Sequence, residues 1–415
     1  VTLGTAERPA VDRPAGEVRA PLRPVGHWLF AGSLWTVFGI ALSNVLLGLS
    51  VLASPWAARG ARETWRRARP FLILLGLYVG LLLLAAAVSL DPGRSARSMA
   101  ELFNLAVAPL ALVYVRGERE ARRVVDGLTA VGGGIAVTGL VQFLVGYDDL
   151  SHRILGPFSH YMTFSGVLLV ADLVLAARLA AGPRSSGWRR AVRWIAFAVI
   201  NVALLASYTR SAWVGLGVAL ALLLLLRAPR WLLALPVAAL LFALLAPAPV
   251  RDRVCSIVDL HDPSNRDRLA MARAGLAMVR DRPLVGLGPE MVEELYPRYR
   301  VETAVRDVVP HLHDTYLQLA AERGLPALAV YLALIGWPLR LAWRRFRAEG
   351  GWRGERGDLH LGVLLALVGF GVAGLFEHNW GDTEVQRQVL FLLALPFCLP
   401  PRETEDGVDA PGASV

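Results

Sequence analysis

Residues 71–90 read FLILLGLYVGLLLLAAAVSL and contain no charged side chain. An α-helix needs ~20 mostly apolar residues to cross ~30 Å of hydrocarbon. Outward from this stretch the pattern returns. Residues 194–209 and 231–250 are also apolar blocks. The whole set falls near 28–54, 70–90, 98–115, 124–146, 160–181, 193–208, 211–226, 231–248, 325–342, 359–377 and 386–400. The 415 residues are 55% hydrophobic, with a mean hydropathy of +0.47. A soluble enzyme can bury an occasional all-apolar helix, but not an unbroken succession of them. The expected fold class is therefore an all-α polytopic membrane protein. The first block is long and interrupted by Ser43-Asn44, so it is either one tilted helix or a pair. The expectation is 11–12 transmembrane helices.

The formal net charge is +9, and all 43 basic residues are arginine. A basic chain can bind nucleic acid, but these arginines sit between apolar blocks and not on one amphipathic face. They divide unequally between the two sides of the membrane. Loops at 59–69, 116–123, 184–193, 227–230 and 340–356 hold 21 arginines. The short loops of the other set hold four: Arg94, Arg97, Arg153 and Arg210. Cytoplasmic loops carry the arginine excess, so the first set is expected in the cytoplasm and nucleic acid is not an expected partner. Membrane lipid is. Residues 1–27, rich in Pro, Arg and Ala, read as a disordered tail, and 401–415 as a cytoplasmic tail. Cys255 and Cys398 have no metal-ligand spacing, and one lone pair does not imply a disulfide.

The organisation that follows is a first bundle part at 28–248, a large far-side loop at 249–324, and a last bundle part at 325–400. A loop this long is expected to carry structure or function. Its pattern is helical. Residues 265–279 read NRDRLAMARAGLAMV, with Leu269, Met271, Leu276 and Met278 suggesting the apolar face of a surface helix that Asp281-Arg282-Pro283 ends. Gly286 and Gly288 make a turn. A second helix is expected from His313 to Glu322, with Gly324 as its C-cap and Pro326 opening the next element.

The residues able to do chemistry cluster around that loop. His313 lies in His311-Leu312-His313-Asp314-Thr315-Tyr316. At a helix N-terminus the dipole disfavours imidazolium and keeps the ring able to accept a proton. The plainer reading is a capping histidine in the membrane interface. Arg210 sits at a far-side boundary between two apolar blocks, where a charge is either functional and paired or snorkels to headgroups. Arg266 and Arg268 on the loop helix gain meaning only if they converge with Arg210 on a shared anion. His160, His311, Asp314, Tyr316, Glu377 and His378 are candidates for lining the cavity. Asp148-Asp149 reads as a polar turn. No Walker-type loop, Rossmann glycine pattern or zinc spacing is present.

Several of these segments, taken in order, resemble the O-antigen ligase and polymerase superfamily of bacterial inner membranes. They are Pro157-Phe158-Ser159-His160, Thr209-Arg210-Ser211, Asn265-Arg266-Asp267-Arg268, the run Asp281 to Gly288, and His311 to Gly324, within roughly residues 150–390. The resemblance implies a GT-C-like helical bundle with one large helical periplasmic loop. It also implies a multi-pass protein of the inner (cytoplasmic) membrane with its active site on the periplasmic face.

The implied reaction moves a glycan from undecaprenyl diphosphate to an acceptor hydroxyl, favouring the lipid A–core sugar. It is expected to invert the anomeric centre with no cofactor and no metal. His313 is then the general base, and Arg210 and Arg268, with Arg266 in reserve, hold the diphosphate. Where such sequences commonly carry Asn after the histidine, this chain has Asp314. A repeat-unit polymerase and a protein O-oligosaccharyltransferase are the alternatives within the superfamily. A lipid-linked glycan transporter or flippase is the alternative outside it. Two related halves often mark a transporter, and none is seen.

Overall fold

In the computed structural model, residues 23–149, 151–183 and 186–401 are described, and they contain no β-strand. The apolar blocks form helices because, in lipid, a single segment must satisfy all of its own backbone polar groups. The chain begins with α1 (Arg23–Trp35), α2 (Ile40–Ala57) and α3 (Arg62–Ala87). A broken run follows: α4 (Pro92–Arg97), α5 (Glu101–Leu105) and α6 (Val107–Tyr114). Next come α7 (Glu118–Leu144), α8 (Tyr161–Ala181), α9 (Gly187–Ala206), α10 (Arg210–Arg227) and α11 (Leu235–Leu245). The large loop contains α12 (Ala248–Cys255), α13 (Pro263–Asp281) and α14 (Met291–Tyr299). The chain closes with α15 (Thr315–Ala348), α16 (Gly357–Ala373) and α17 (Thr383–Cys398).

The all-α polytopic class is borne out, with seven helices long and apolar enough to span among the described residues. The larger count of 11–12 includes helices that fall short of that standard. Helices α1 and α11 have 13 and 11 residues, α16 and α17 have 17 and 16. Helix α9 carries Arg189, Arg190 and Arg193 in its first two turns. Block 28–54 is a pair of helices, but the break falls at Thr36–Gly39, not at Ser43-Asn44. Helix α1 begins at Arg23, inside the segment expected as a tail; residues 1–22 and 402–415 lie outside the described residues.

Helix α8 occupies the centre, with α16, α17, α7, α9 and α10 around it. Small residues let these axes approach. A Cβ on Gly215 of α10 would stand 2.5 Å from the Gly369 carbonyl of α16. This is the packing expected where lipid removes the hydrophobic drive between helices. The outer helices turn Leu52, Ile73, Leu77 and Leu240 outward, as a lipid-facing surface requires.

The arginine-rich connections gather at one end of this bundle. Arg116 donates to the Ala57 carbonyl, Arg122 binds Asp358 at 2.8 Å, and Arg356 reaches Glu118 at 3.2 Å. The large loop lies at the other end, where it has a small core of its own. Met271, Ala274 and Met278 of α13 pack there with Val292, Leu295 and Tyr296 of α14 and with Leu312. The expected apolar face is thus half correct: Leu269 and Leu276 are exposed. At 100° per residue they point ~160° away from Met271 and Met278.

The second loop helix starts at Thr315, not His313, because Asp314 takes the cap. Its carboxylate accepts from the Tyr316 and Leu317 N–H groups, both at 2.9 Å. The break expected at Gly324 is present: its φ is +81° inside the long α15. The segment after α13 docks against that kink. Leu287 N donates to Ala321 O at 2.9 Å, Gly288 N to Glu322 O at 3.0 Å, and Leu325 N to Pro283 O at 2.7 Å.

Candidate active site

His313 immediately precedes the Asp314 cap, and its φ of +52° places it in the left-handed region. A non-glycine residue held there costs of order 1–3 kcal/mol and persists only where the surroundings over-determine it. They do. The Leu312 N–H donates to Gln318 Oε1 at 2.9 Å, and Thr315 is tied on both sides. Its N–H reaches Gly374 O at 2.8 Å, and its hydroxyl donates to Glu377 O at 3.0 Å. These bonds lock the α16–α17 connection onto the start of α15.

That connection supplies Glu377, whose carboxylate meets His313 Nδ1 at 2.9 Å (Oε1) and 3.0 Å (Oε2). Oε1 also accepts from the His378 N–H at 3.0 Å. Glu377 is 2% exposed. Burial alone would push its pKa up. The hydrogen bond from His313, the Arg268 guanidinium and, when the rings are protonated, the charges of His313 and His311 outweigh burial and hold the group below the ordinary carboxylate range. An ionised carboxylate only accepts hydrogen bonds. Nδ1 of His313 must therefore carry the ring proton, which leaves the Nε2 lone pair as the basic site.

The neighbouring imidazoles are kept neutral. His311 packs edge-on to His313 with ring centroids 4.3 Å apart. Burial lowers its pKa to about 4, against the pull of Glu377. Burial likewise lowers His378 to about 3 and lowers His160, which caps α8 through Nδ1.

Arginines stand on the loop side of this cluster. Arg268 of α13 is 3.7 Å from Glu377. Arg210 is 5% exposed at the first turn of α10. It donates to Ser256 O at 2.6 Å and Ser264 Oγ at 3.0 Å, and pairs with Asp262 at 3.4 Å. It therefore joins the loop to the bundle. Arg253 of α12 donates to Tyr208 O at 3.2 Å. Burial, with the positive charges of Arg210, Arg153 and Arg268, pushes its pKa down to about 10. Positive charge from Arg268 and Arg153 thus falls on both Arg210 and Arg253, a setting that suits an anion.

A polar cavity of about 760 Å³ opens beside the histidines, lined by His311 and His378 together with Arg97, Glu101, Asn104, Gln318, Asp382 and Gln386. Its floor is a network in which Arg323 pairs with Glu101 at 2.6 Å and Asn104 donates to Gln386 at 2.9 Å. Burial raises the Asp382 carboxyl to about 7.

Of the residues singled out in the sequence, His313, His311, His378, Glu377, His160 and Arg268 converge, and Arg210 stands next to them. Arg266 does not join. Two residues along a helix from Arg268 is ~200° around its axis, and Arg266 is exposed. Tyr316 points away from the cavity, its hydroxyl donating to Gly371 O at 2.6 Å. Asp314 serves the helix cap. Arg253, Arg153 and the pairing of Glu377 with His313 were not foreseen. The ligand atoms of His311, His313 and Glu377 lie within 4.8 Å of one another, near enough to share a cation. Arg268 already brings a permanent positive charge to Glu377, which disfavours a dication there.

Residues 195–332 match the family model for O-antigen ligase. The match covers about a third of the chain. It includes Arg210, Arg253, Arg268 and His313 and ends before Glu377. The resemblance read from the sequence is supported by it, as is a glycosyltransferase of O-antigen ligase or polymerase type. No curated protein matches the chain.

Proposed function

We propose that this chain transfers a glycan from undecaprenyl diphosphate to an acceptor hydroxyl, with a lipid A–core sugar as the favoured acceptor. The observation that carries this reading is the His313–Glu377 hydrogen bond with Arg268 against the same carboxylate and the buried Arg210 nearby. A lipid-linked diphosphate is already a good leaving group, so the demands are positioning, charge stabilisation and removal of one proton. Arg268 and Arg210, with Arg253 beside them, hold the diphosphate and stabilise charge as it departs. The acceptor hydroxyl approaches the anomeric carbon from the opposite face. Its proton passes to His313 Nε2 and its oxygen bonds to the anomeric carbon. The bond from that carbon to the diphosphate oxygen breaks, and undecaprenyl diphosphate leaves with the electron pair. Attack from the opposite face inverts the configuration. Glu377 balances the imidazolium that forms.

The amide and carboxylate groups around the 760 Å³ cavity suit the hydroxyls of an acceptor sugar. The reading places this site on the periplasmic face of a bacterial inner membrane, because the arginine-rich connections gather at the opposite end. The test is transfer with purified donor and acceptor. His313→Ala is expected to lose turnover by ~10²–10⁴-fold while retaining donor binding. Near-wild-type turnover in that variant removes His313 as the base.

A further inference from the structure

At the opposite end of the bundle the helices build a second concavity. Helix α8 carries His160 at its start and Arg178 in its last turn, 18 residues on and so roughly 27 Å along the axis. Helix α10 likewise starts at Arg210 and ends at Arg227. These lengths match the hydrocarbon thickness, so Arg178 and Arg227 lie at headgroup level on the face opposite His160 and Arg210. There they border a cavity of about 580 Å³ with Arg190, Arg193, Arg353 and Trp352.

Two observations separate this cavity from an ordinary arginine-rich loop. The first is charge balance. Arg178 pairs with Asp126 at 2.9 Å and with Asp358 at 3.4 Å. Asp126 is shared with Arg193 at 4.0 Å, and Asp358 with Arg122 at 2.8 Å. Arg227 lies over the Trp352 ring at 4.9 Å, an uncharged partner. Three guanidiniums thus share two carboxylates in these pairs, and the cavity is lined by five arginines, Arg178, Arg190, Arg193, Arg227 and Arg353, and by no carboxylate among the described residues. The second is Arg178 itself. It is 4% exposed, and its buried Nη1 has no hydrogen-bond partner among the described residues. A buried N–H left unmade is costly, and an acceptor oxygen that reaches it recovers that cost.

We propose that this cavity binds a phosphate group, carried by an anionic lipid headgroup or by a soluble phosphate. Arg178 offers the buried edge, and Arg190, Arg193 and Arg353 close around the anion from the rim. Arginine suits the task because its planar fork meets phosphate oxygens two at a time. Trp352 sits where interfacial tryptophans sit, at the boundary between headgroups and hydrocarbon. The site is independent of the glycan-transfer reading.

The experiment follows the thermal midpoint of delipidated full-length protein in neutral detergent, titrated with phosphatidylglycerol, phosphatidylcholine or inorganic phosphate. Arg190 and Arg353 are exposed, so R190Q/R353Q leaves the packing intact. R340Q/R344Q removes equal charge from the same end, outside the cavity. At ~1 kcal/mol per arginine near an anionic headgroup, R190Q/R353Q is expected to raise the half-saturating concentration of the stabilising anion about tenfold or more. R340Q/R344Q should leave it within about twofold. Stabilisation by phosphatidylglycerol alone, lost in R190Q/R353Q, supports the site and assigns a lipid source. Equal stabilisation by inorganic phosphate, lost in the same variant, supports the site with a soluble source. Equal stabilisation by phosphatidylcholine and phosphatidylglycerol, or a half-saturating concentration in R190Q/R353Q equal to that of the unaltered protein, overturns the proposal.

Discussion

The Nδ1 atom of His313 lies 2.9 Å from Oε1 and 3.0 Å from Oε2 of Glu377, a residue 64 positions later in the chain. This contact selects the ring tautomer and aims Nε2 away from the carboxylate. Glu377→Gln keeps the shape but can donate to Nδ1, which would turn the wrong nitrogen outward. We expect kcat to fall by roughly 10²–10⁴-fold with donor KM within a few-fold of wild type. A Glu377→Gln enzyme with unaltered kcat would show that the carboxylate is not what orients the base.

The backbone at His313 separates catalysis from stability. Alanine and glycine at this position both lose the imidazole and its bond to Glu377. They differ in the left-handed region, which glycine enters freely and alanine at a cost of ~1–2 kcal/mol. Both variants should lose turnover by the same ~10²–10⁴-fold, and His313→Gly should melt higher than His313→Ala by a few degrees. Equal midpoints would mean the loop relaxes away from φ +52° once the histidine is gone.

The arginines should not behave alike. Among the described residues Arg268 has one ionic contact, to Glu377, so Arg268→Ala is expected to weaken donor binding with little loss of stability. Arg210 also holds Ser256, Asp262 and Ser264. Removing it takes one partner from each of those groups, so Arg210→Ala should both weaken donor binding and speed proteolysis of the 256–264 segment. Arg266→Ala should be near wild type in both assays. Donor affinity unchanged in both Arg268→Ala and Arg210→Ala would remove the diphosphate clamp.

What could be read in the sequence was whatever local spacing encodes. Runs without charge specify spanning helices, and the positions of arginine between them specify which connections share an end. Asp281-Arg282-Pro283 stops α13 and Gly324 breaks α15 for reasons present in neighbouring residues. The errors arise where two local rules compete or where contacts are distant. Asp314 is a stronger cap than His313, so the helix starts two residues late. Leu269 and Leu276 look like core residues until the 3.6 period is aligned on Met271 and Met278. The pairing of Glu377 with His313, and the approach of Arg253 to Arg210, join segments whose separation carries no signal in one sequence.

Acid should reach the site through its neutral histidines. Burial holds His311 at about 4 and His378 at about 3, below the ordinary 6.5. Between 6.5 and those values the folded state binds fewer protons than the unfolded state, so these groups lose stability as pH falls through the window. Asp382, raised to about 7 by burial, acts in the opposite sense. The comparison of His378→Gln with wild type isolates the histidine. Its melting temperature relative to wild type should rise steadily from pH 6.5 towards pH 4. Parallel curves over that range would mean His378 is not held neutral.

Gly324 is the hinge on which the loop meets the bundle. Its φ is +81°, and a Cβ there would stand 2.3 Å from the Leu284 carbonyl. Backbone cannot yield as a flexible side chain can, so Gly324→Ala must either straighten α15 or push the 283–288 segment off it. Either movement breaks the bonds from Leu287 to Ala321 and from Leu325 to Pro283. The loop core behind that segment holds Leu312 and, through it, the backbone that presents His313. We therefore expect Gly324→Ala to lower both the melting temperature and kcat, although no atom of Gly324 touches the histidine cluster. Activity should fall further than the loss of folded protein accounts for. A variant that is destabilised yet fully active per folded molecule would show that the kink supports the fold without setting the geometry of the base.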